Sequence, residues 1–142
     1  VGGVVIVVLG IGAISGVQYL KYRYSPEYKT YKEAQRLIKE YNEDPYGGNT
    51  PEETLQLFID ALKKGDTDLA SKYFVMEKWS KKTEELRIGK EKGNLDKLVG
   101  IVSKMGSGQR NSTGTYFFST KDGFGMQLIQ TKASKKWKIE EL

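Results

Sequence analysis

The first twenty residues, VGGVVIVVLGIGAISGVQYL, carry no charged side chain, and the first charge in the chain is Lys21. A helix rises about 1.5 Å per residue, so this stretch spans about 30 Å, the thickness of a bilayer hydrocarbon core. Its only polar side chains before Tyr19 are Ser15 and Gln18. The glycines make it a poor helix in water, whereas lipid forces the backbone to satisfy its own hydrogen bonds and favours the helix. Tyr19, Lys21, Tyr22 and Arg23 then form the aromatic and basic collar expected where a span meets headgroups. An export signal has a similar apolar run, with Ala13-Ile14-Ser15 as a small-residue cleavage site. A buried core helix would show some polar face, and none is present here. The pattern therefore predicts a retained single-pass anchor over residues 1–20. Gly12 and Gly16 have the GxxxG spacing that lets two spans approach closely, which makes them candidates for helix association. Lys21, Arg23, Lys29 and Lys32, taken alone, favour a cytoplasmic location for the residues after the span.

The charge all lies beyond the anchor. There are 23 basic and 18 acidic residues, for a net charge of +5, with no Cys and no His. Without them, Ser-His-Asp chemistry, Cys-His pairs, disulfides and most transition-metal sites are excluded. Neither a GxGxxG loop nor a P-loop with its lysine occurs. No catalytic residue, metal or cofactor is expected. Lys63-Lys64, Lys81-Lys82 and Lys135-Lys136-Trp137-Lys138 are the basic clusters, and acids are interspersed among them. They read as solvated surface, not as the contiguous stripe a nucleic acid needs. Membrane lipid, met by the collar at Lys21 and Arg23, is the expected partner, together with other protein subunits or further copies of the chain.

The chain divides into three regions: the anchor, a juxtamembrane helix and linker over 21–49, and a domain over 50–142. Ser25-Pro26-Glu27 is a helix start, with Ser as cap and Pro in the first turn. Tyr28, Tyr31, Ala34, Ile38 and Tyr41 recur at helical steps, so this helix runs to about Asn42. Asp44-Pro45-Tyr46-Gly47-Gly48-Asn49 collects turn formers and reads as a linker. Thr50 and Glu53 have capping-box spacing around Pro51, and Leu55, Phe58, Ile59 and Leu62 form the apolar stripe of a helix that Gly65 stops. Asp66 or Thr67 caps a short helix with Leu69, Ala70, Tyr73 and Phe74 turned inward. A charged helix comes next, anchored by Trp79, Leu86 and Ile88. Asn94 caps another, which carries Leu95, Leu98, Val99, Val102 and Met105. The segment GSGQRNSTG reads as a flexible loop. After it the period changes to two: Tyr116 and Phe118 share a face, Met126 and Leu128 another, and Trp137 and Ile139 alternate with Lys. The order predicts an α+β fold, with helices covering one face of a three- or four-stranded antiparallel meander.

The stretch TPEETLQLFIDALKKGDTDLASKYF, with the terminal strand KKWKIEEL, resembles the nuclear-transport-factor-2-like superfamily over residues 50–142. The resemblance implies a cone-like domain in which helices fold over a curved antiparallel sheet. A single span ahead of such a domain is similar to the inner-membrane assembly subunits of type IV secretion systems. That likeness implies an extracytoplasmic domain that self-associates and docks other subunits in a cell-envelope complex. Some relatives hold small ligands in the cone or are isomerases. In that reading Phe58, Tyr73, Tyr116, Phe118 and Trp137 line a pocket, and Asp60 is the acid to inspect as a base. Plain core packing of the same aromatics is the alternative, and so is an exposed helical role for Asp60. A pilin-like filament subunit is a third reading, and it predicts one continuous helix through residues 1–42.

Overall fold

The computed structural model describes residues 17–142; Gly12, Gly16 and most of the expected anchor lie outside the described residues. Among the described residues no helix is long and apolar enough to cross a membrane. The chain divides between Asn42 and Glu43 into two compact units. In the first, residues 17–23 are helical, a turn intervenes at Tyr24 and Ser25, and helix α1 runs Pro26–Glu43. Ser25 Oγ accepts from the Tyr28 amide at 3.1 Å, which closes the first turn at the position the sequence marks.

The second unit is α+β. Four helices, α2 (Pro51–Lys63), α3 (Thr67–Lys72), α4 (Trp79–Glu91) and α5 (Leu95–Val102), precede strands β1 (Gln109–Arg110), β2 (Tyr116–Ser119), β3 (Gly125–Gln130) and β4 (Trp137–Glu141). The strands form one antiparallel sheet in the order β1-β2-β3-β4. Thr50 caps α2 by accepting from the Glu53 amide at 3.1 Å, while the Glu53 carboxylate reaches back to the Asn49 amide at 2.6 Å. The helix ends in a Schellman turn: Gly65, at φ 67°, donates to the Leu62 carbonyl and Asp66 to that of Ala61. Helix α4 ends in the same way at Gly93, with Asn94 donating to Gly89. Asn94 leaves that turn with φ −94° and ψ −4°, already helical backbone, and its side chain makes no capping bond to α5. Here the sequence expectation and the structure differ.

The core lies between α2 and the sheet. Leu55, Phe58, Ile59 and Leu62 from α2 meet Phe118, Met126, Leu128, Trp137 and Ile139, with Tyr73, Phe74, Leu86 and Val102 completing the cluster. On α4, Leu86 lies seven residues after Trp79 and shares its face, whereas Ile88 lies about 200° further round and stays exposed. The expected loop at 106–114 contains strand β1. Asn111 Oδ1 accepts from the amides of Thr113 (3.0 Å) and Thr115 (2.9 Å), and this Asx-type turn sends the chain back into β2.

The stretch Asp44–Asn49 is a built part of the domain, despite its turn-rich composition. Strand β4 pairs with β3 on one side. On the other, the Trp137 amide donates to the Gly48 carbonyl (3.0 Å), the Ile139 amide to Tyr73 (2.8 Å), and Val75 to the Ile139 carbonyl (3.0 Å). Both edges of β4 are thereby paired, so no open ladder remains there. Thr54, fully buried on α2, accepts from the Gly48 amide (2.8 Å) and donates to the Trp137 carbonyl (3.0 Å). Valine has the same shape and no hydroxyl. Thr54→Val therefore strands a buried donor, and chemical denaturation is expected to show a loss of about 2 kcal/mol. A loss below about 0.5 kcal/mol would mean that water replaces the hydroxyl.

Candidate functional site

Of the five candidate aromatics, Phe58, Tyr73, Phe118 and Trp137 are buried in the core, and Tyr116 is half-buried against it. Phe58, Phe118 and Trp137 are at most 2 % exposed, and Tyr73 is buried. Tyr116, on β2, packs edge-on against Phe118 (ring centroids 5.1 Å) and Trp137 (6.0 Å), so these three meet. Phe58 meets Phe74 at 5.5 Å. The Tyr116 hydroxyl reaches the surface and donates to Glu52, which raises its pKa. Burial, with the charge of Asp66 adding to it, pushes the Tyr73 hydroxyl up. The guanidinium of Arg110 sits 4.9 Å from the Trp137 ring centroid and covers the outer end of the group. Among the described residues, surface depressions of about 300, 450 and 360 Å³ are lined by other residues. Asp60 is half-buried and accepts from the Gln56 amide group at 2.8 Å, one helical turn away. That bond runs along the helix, in keeping with a helical role. Among the described residues no group of three or more His, Cys, Asp or Glu side chains is placed to hold a metal ion.

The collar residues lie on the helical stretch 17–23. Tyr19 and Tyr22 are exposed, as are Lys21 and Arg23. The Arg23 guanidinium donates to the Tyr19 hydroxyl at 3.4 Å, and the Tyr22 ring lies edge-on to Tyr28 at 5.3 Å. Tyrosine and basic side chains are thus interleaved on one short segment, the composition that suits a headgroup layer.

The sequence gives no warning of the most unusual polar group, Lys138. Alternation with Trp137 and Ile139 places it on the outer face of β4, and a lysine there reads as solvated. Yet it has no exposed surface. Its ammonium donates to Asp44 Oδ2 at 2.6 Å and to the Lys72 carbonyl at 2.9 Å. The rings of Trp79 and Tyr46 lie 5.4 and 5.8 Å from it, edge-on to each other. The Trp79 ring also carries Lys72 at 3.9 Å, and its indole N–H donates to the Phe74 carbonyl at 2.8 Å. Burial pushes the Lys138 ammonium below the usual lysine range; the Asp44 hydrogen bond and charge oppose this, and Lys72 adds to it. Asp44 is itself pinned, with Oδ1 accepting from the Tyr46 amide at 3.0 Å. A lysine with a lowered pKa is a chemical resource only where a substrate can reach it. Here the amine is sealed under two rings, so the pair fastens residues 44–49 to β4.

In comparison with known proteins, no family model, no curated protein and no solved structure matches this chain.

Proposed function

We propose that the chain is a single-pass membrane protein whose domain binds or organises other protein subunits in a cell-envelope complex and catalyses no reaction. The observation that carries this reading is the uncharged twenty-residue opening, succeeded at once by an exposed collar of Tyr19, Lys21, Tyr22 and Arg23. The tight packing of Phe58, Phe118 and Trp137 supports a domain that works through its surface. The resemblance to cone-like assembly subunits points the same way and favours an extracytoplasmic domain. A ligand carrier or isomerase needs room between these aromatics, and their edge-on contacts leave the space occupied. A pilin-like filament needs an unbroken helix, and the turn at Tyr24 and Ser25 interrupts it.

The test is fractionation of the full chain expressed in bacteria. It is expected to remain in membranes through an alkaline wash and to require detergent for release. Leu9→Lys places a charge mid-span at a cost of about 3 kcal/mol and is expected to shift much of the chain out of the membrane. A full chain that stays monodisperse in plain buffer overturns the reading.

A further inference from the structure

From Tyr28 to the end of α1 the charged and uncharged residues separate completely, while Glu27, in the first turn, falls on the uncharged side. From Tyr28 to Glu43 the charged residues are Lys29, Lys32, Glu33, Arg36, Lys39, Glu40 and Glu43. At 100° per residue they fall within an arc of about 120°. The rest of the circumference is uncharged, and Tyr31, Ala34, Ile38 and Tyr41 run down its middle at steps of three, four and three, the a/d spacing of a coiled coil. Tyr31 and Ile38 are each 54 % exposed and Leu37 is 40 % exposed, a large apolar surface for a helix in water. The charged arc is occupied with itself: Arg36 pairs with Glu33 at 2.5 Å and with Glu40 at 3.2 Å on the same helix.

We infer that α1 is a self-association helix, which pairs in parallel and in register with α1 of a second copy of this chain. The parallel direction rests on the membrane-anchor reading, since helices leaving one bilayer surface side by side run the same way. Charge is what selects a second copy. In a parallel pair the positions flanking the seam face each other as Thr30 with Gln35 and Leu37 with Asn42, so no like charges meet between Thr30 and Asn42. Glu27, in the first turn, falls on the seam line, where two copies would bring like charges together, so the seam begins after it. Had Lys32, Arg36 or Lys39 stood at a flanking position, each copy would repel the other. A lipid surface suits the helix less well, because the charged arc holds three acids against four bases where an interfacial helix carries a basic face. Tyr31, Ala34, Leu37 and Ile38, all exposed in the single copy, supply the apolar surface that such a pair buries.

The chain has no cysteine, which makes the test direct. Single cysteines go into the full chain on the seam, Ala34→Cys or Ile38→Cys, and on the charged arc, Lys32→Cys or Arg36→Cys. All four positions are exposed, so the helix tolerates them. Under a mild oxidant in membranes, the seam variants are expected to form disulfide dimers about tenfold faster than the arc variants, because only seam Cα atoms come within ~7 Å. Adding Leu37→Glu to Ala34→Cys puts like charge beside the seam and is expected to suppress the dimer. Equal rates at all four positions, or no dimer at either seam position, overturn the inference. So does an Ala34→Cys and Ile38→Cys mixture that cross-links while each alone does not, since that marks an antiparallel pair. The same series repeated in detergent-free buffer separates the two readings. A soluble chain that still cross-links at the seam loses only the anchor, and a membrane-bound chain that does not cross-link loses only the pairing.

Discussion

Lys138→Met is expected to destabilise the domain by about 3–5 kcal/mol, because it leaves the Asp44 carboxylate buried without its cation. Against a total stability of about 5–15 kcal/mol, that is enough to leave a large unfolded fraction at 37 °C. A second variant sharpens the prediction. Asp44→Asn with Lys138→Met removes both charges and keeps an oxygen to accept from the Tyr46 amide, now bonded at 3.0 Å. The double variant is expected to recover most of the loss, since exchanging a whole buried pair for neutral groups is often close to neutral. Urea midpoints of the two single variants and the double variant form the cycle. A Lys138→Met midpoint unchanged from the parent chain would show that water enters and solvates Asp44.

Gly47→Ala is expected to cost about 3 kcal/mol or more, from left-handed backbone strain together with steric overlap. Gly47 sits at φ 101°, and a Cβ built on it falls well inside van der Waals contact of the Trp137 carbonyl oxygen. Backbone is on both sides of that contact, and neither has a rotamer by which to move away. Gly123, in the β2–β3 turn, supplies the control. Its φ is 90°, yet a Cβ there meets nothing within 4 Å, so Gly123→Ala is expected to cost only the backbone strain, about 1–2 kcal/mol. The difference between the two thermal midpoints isolates the overlap. If both variants melt together, the chain around Gly47 gives way more easily than the packing implies.

Lys138 and Gly47 also show where the sequence is legible and where it is not. Periodicity and capping are local, and they locate α2 from Thr50 and Gly65, and β2 and β3 from Tyr116, Phe118, Met126 and Leu128. Alternation likewise assigns Trp137 and Ile139 to the core. It fails at Lys138 because the second face of β4 is covered by Tyr46 and Trp79, which lie 92 and 59 positions earlier in the chain. No window over β4 contains that information. Residues 44–49 fail for a related reason. Gly and Pro mark a break in regular structure, and the same composition serves a free tether and a segment bonded to a distant strand. The aromatics are visible as a group, but whether such rings enclose space or fill it depends on angles between elements, as the contact of Tyr116 with both Phe118 and Trp137 shows.

The double pairing of β4 constrains the order in which the domain can be assembled. The hydrogen bond from Thr54 to Trp137 closes a separation of 83 residues, and Gly48 and Tyr73 wait on the same strand. During synthesis α2 therefore leaves the ribosome long before its acceptor exists, with its oily side lacking a wall. Closing so long a loop is an entropic barrier met ahead of any reward, which favours slow, late and cooperative folding. A nascent chain of this design has a prolonged vulnerable interval, in which helpers that shield sticky helices have the most to do.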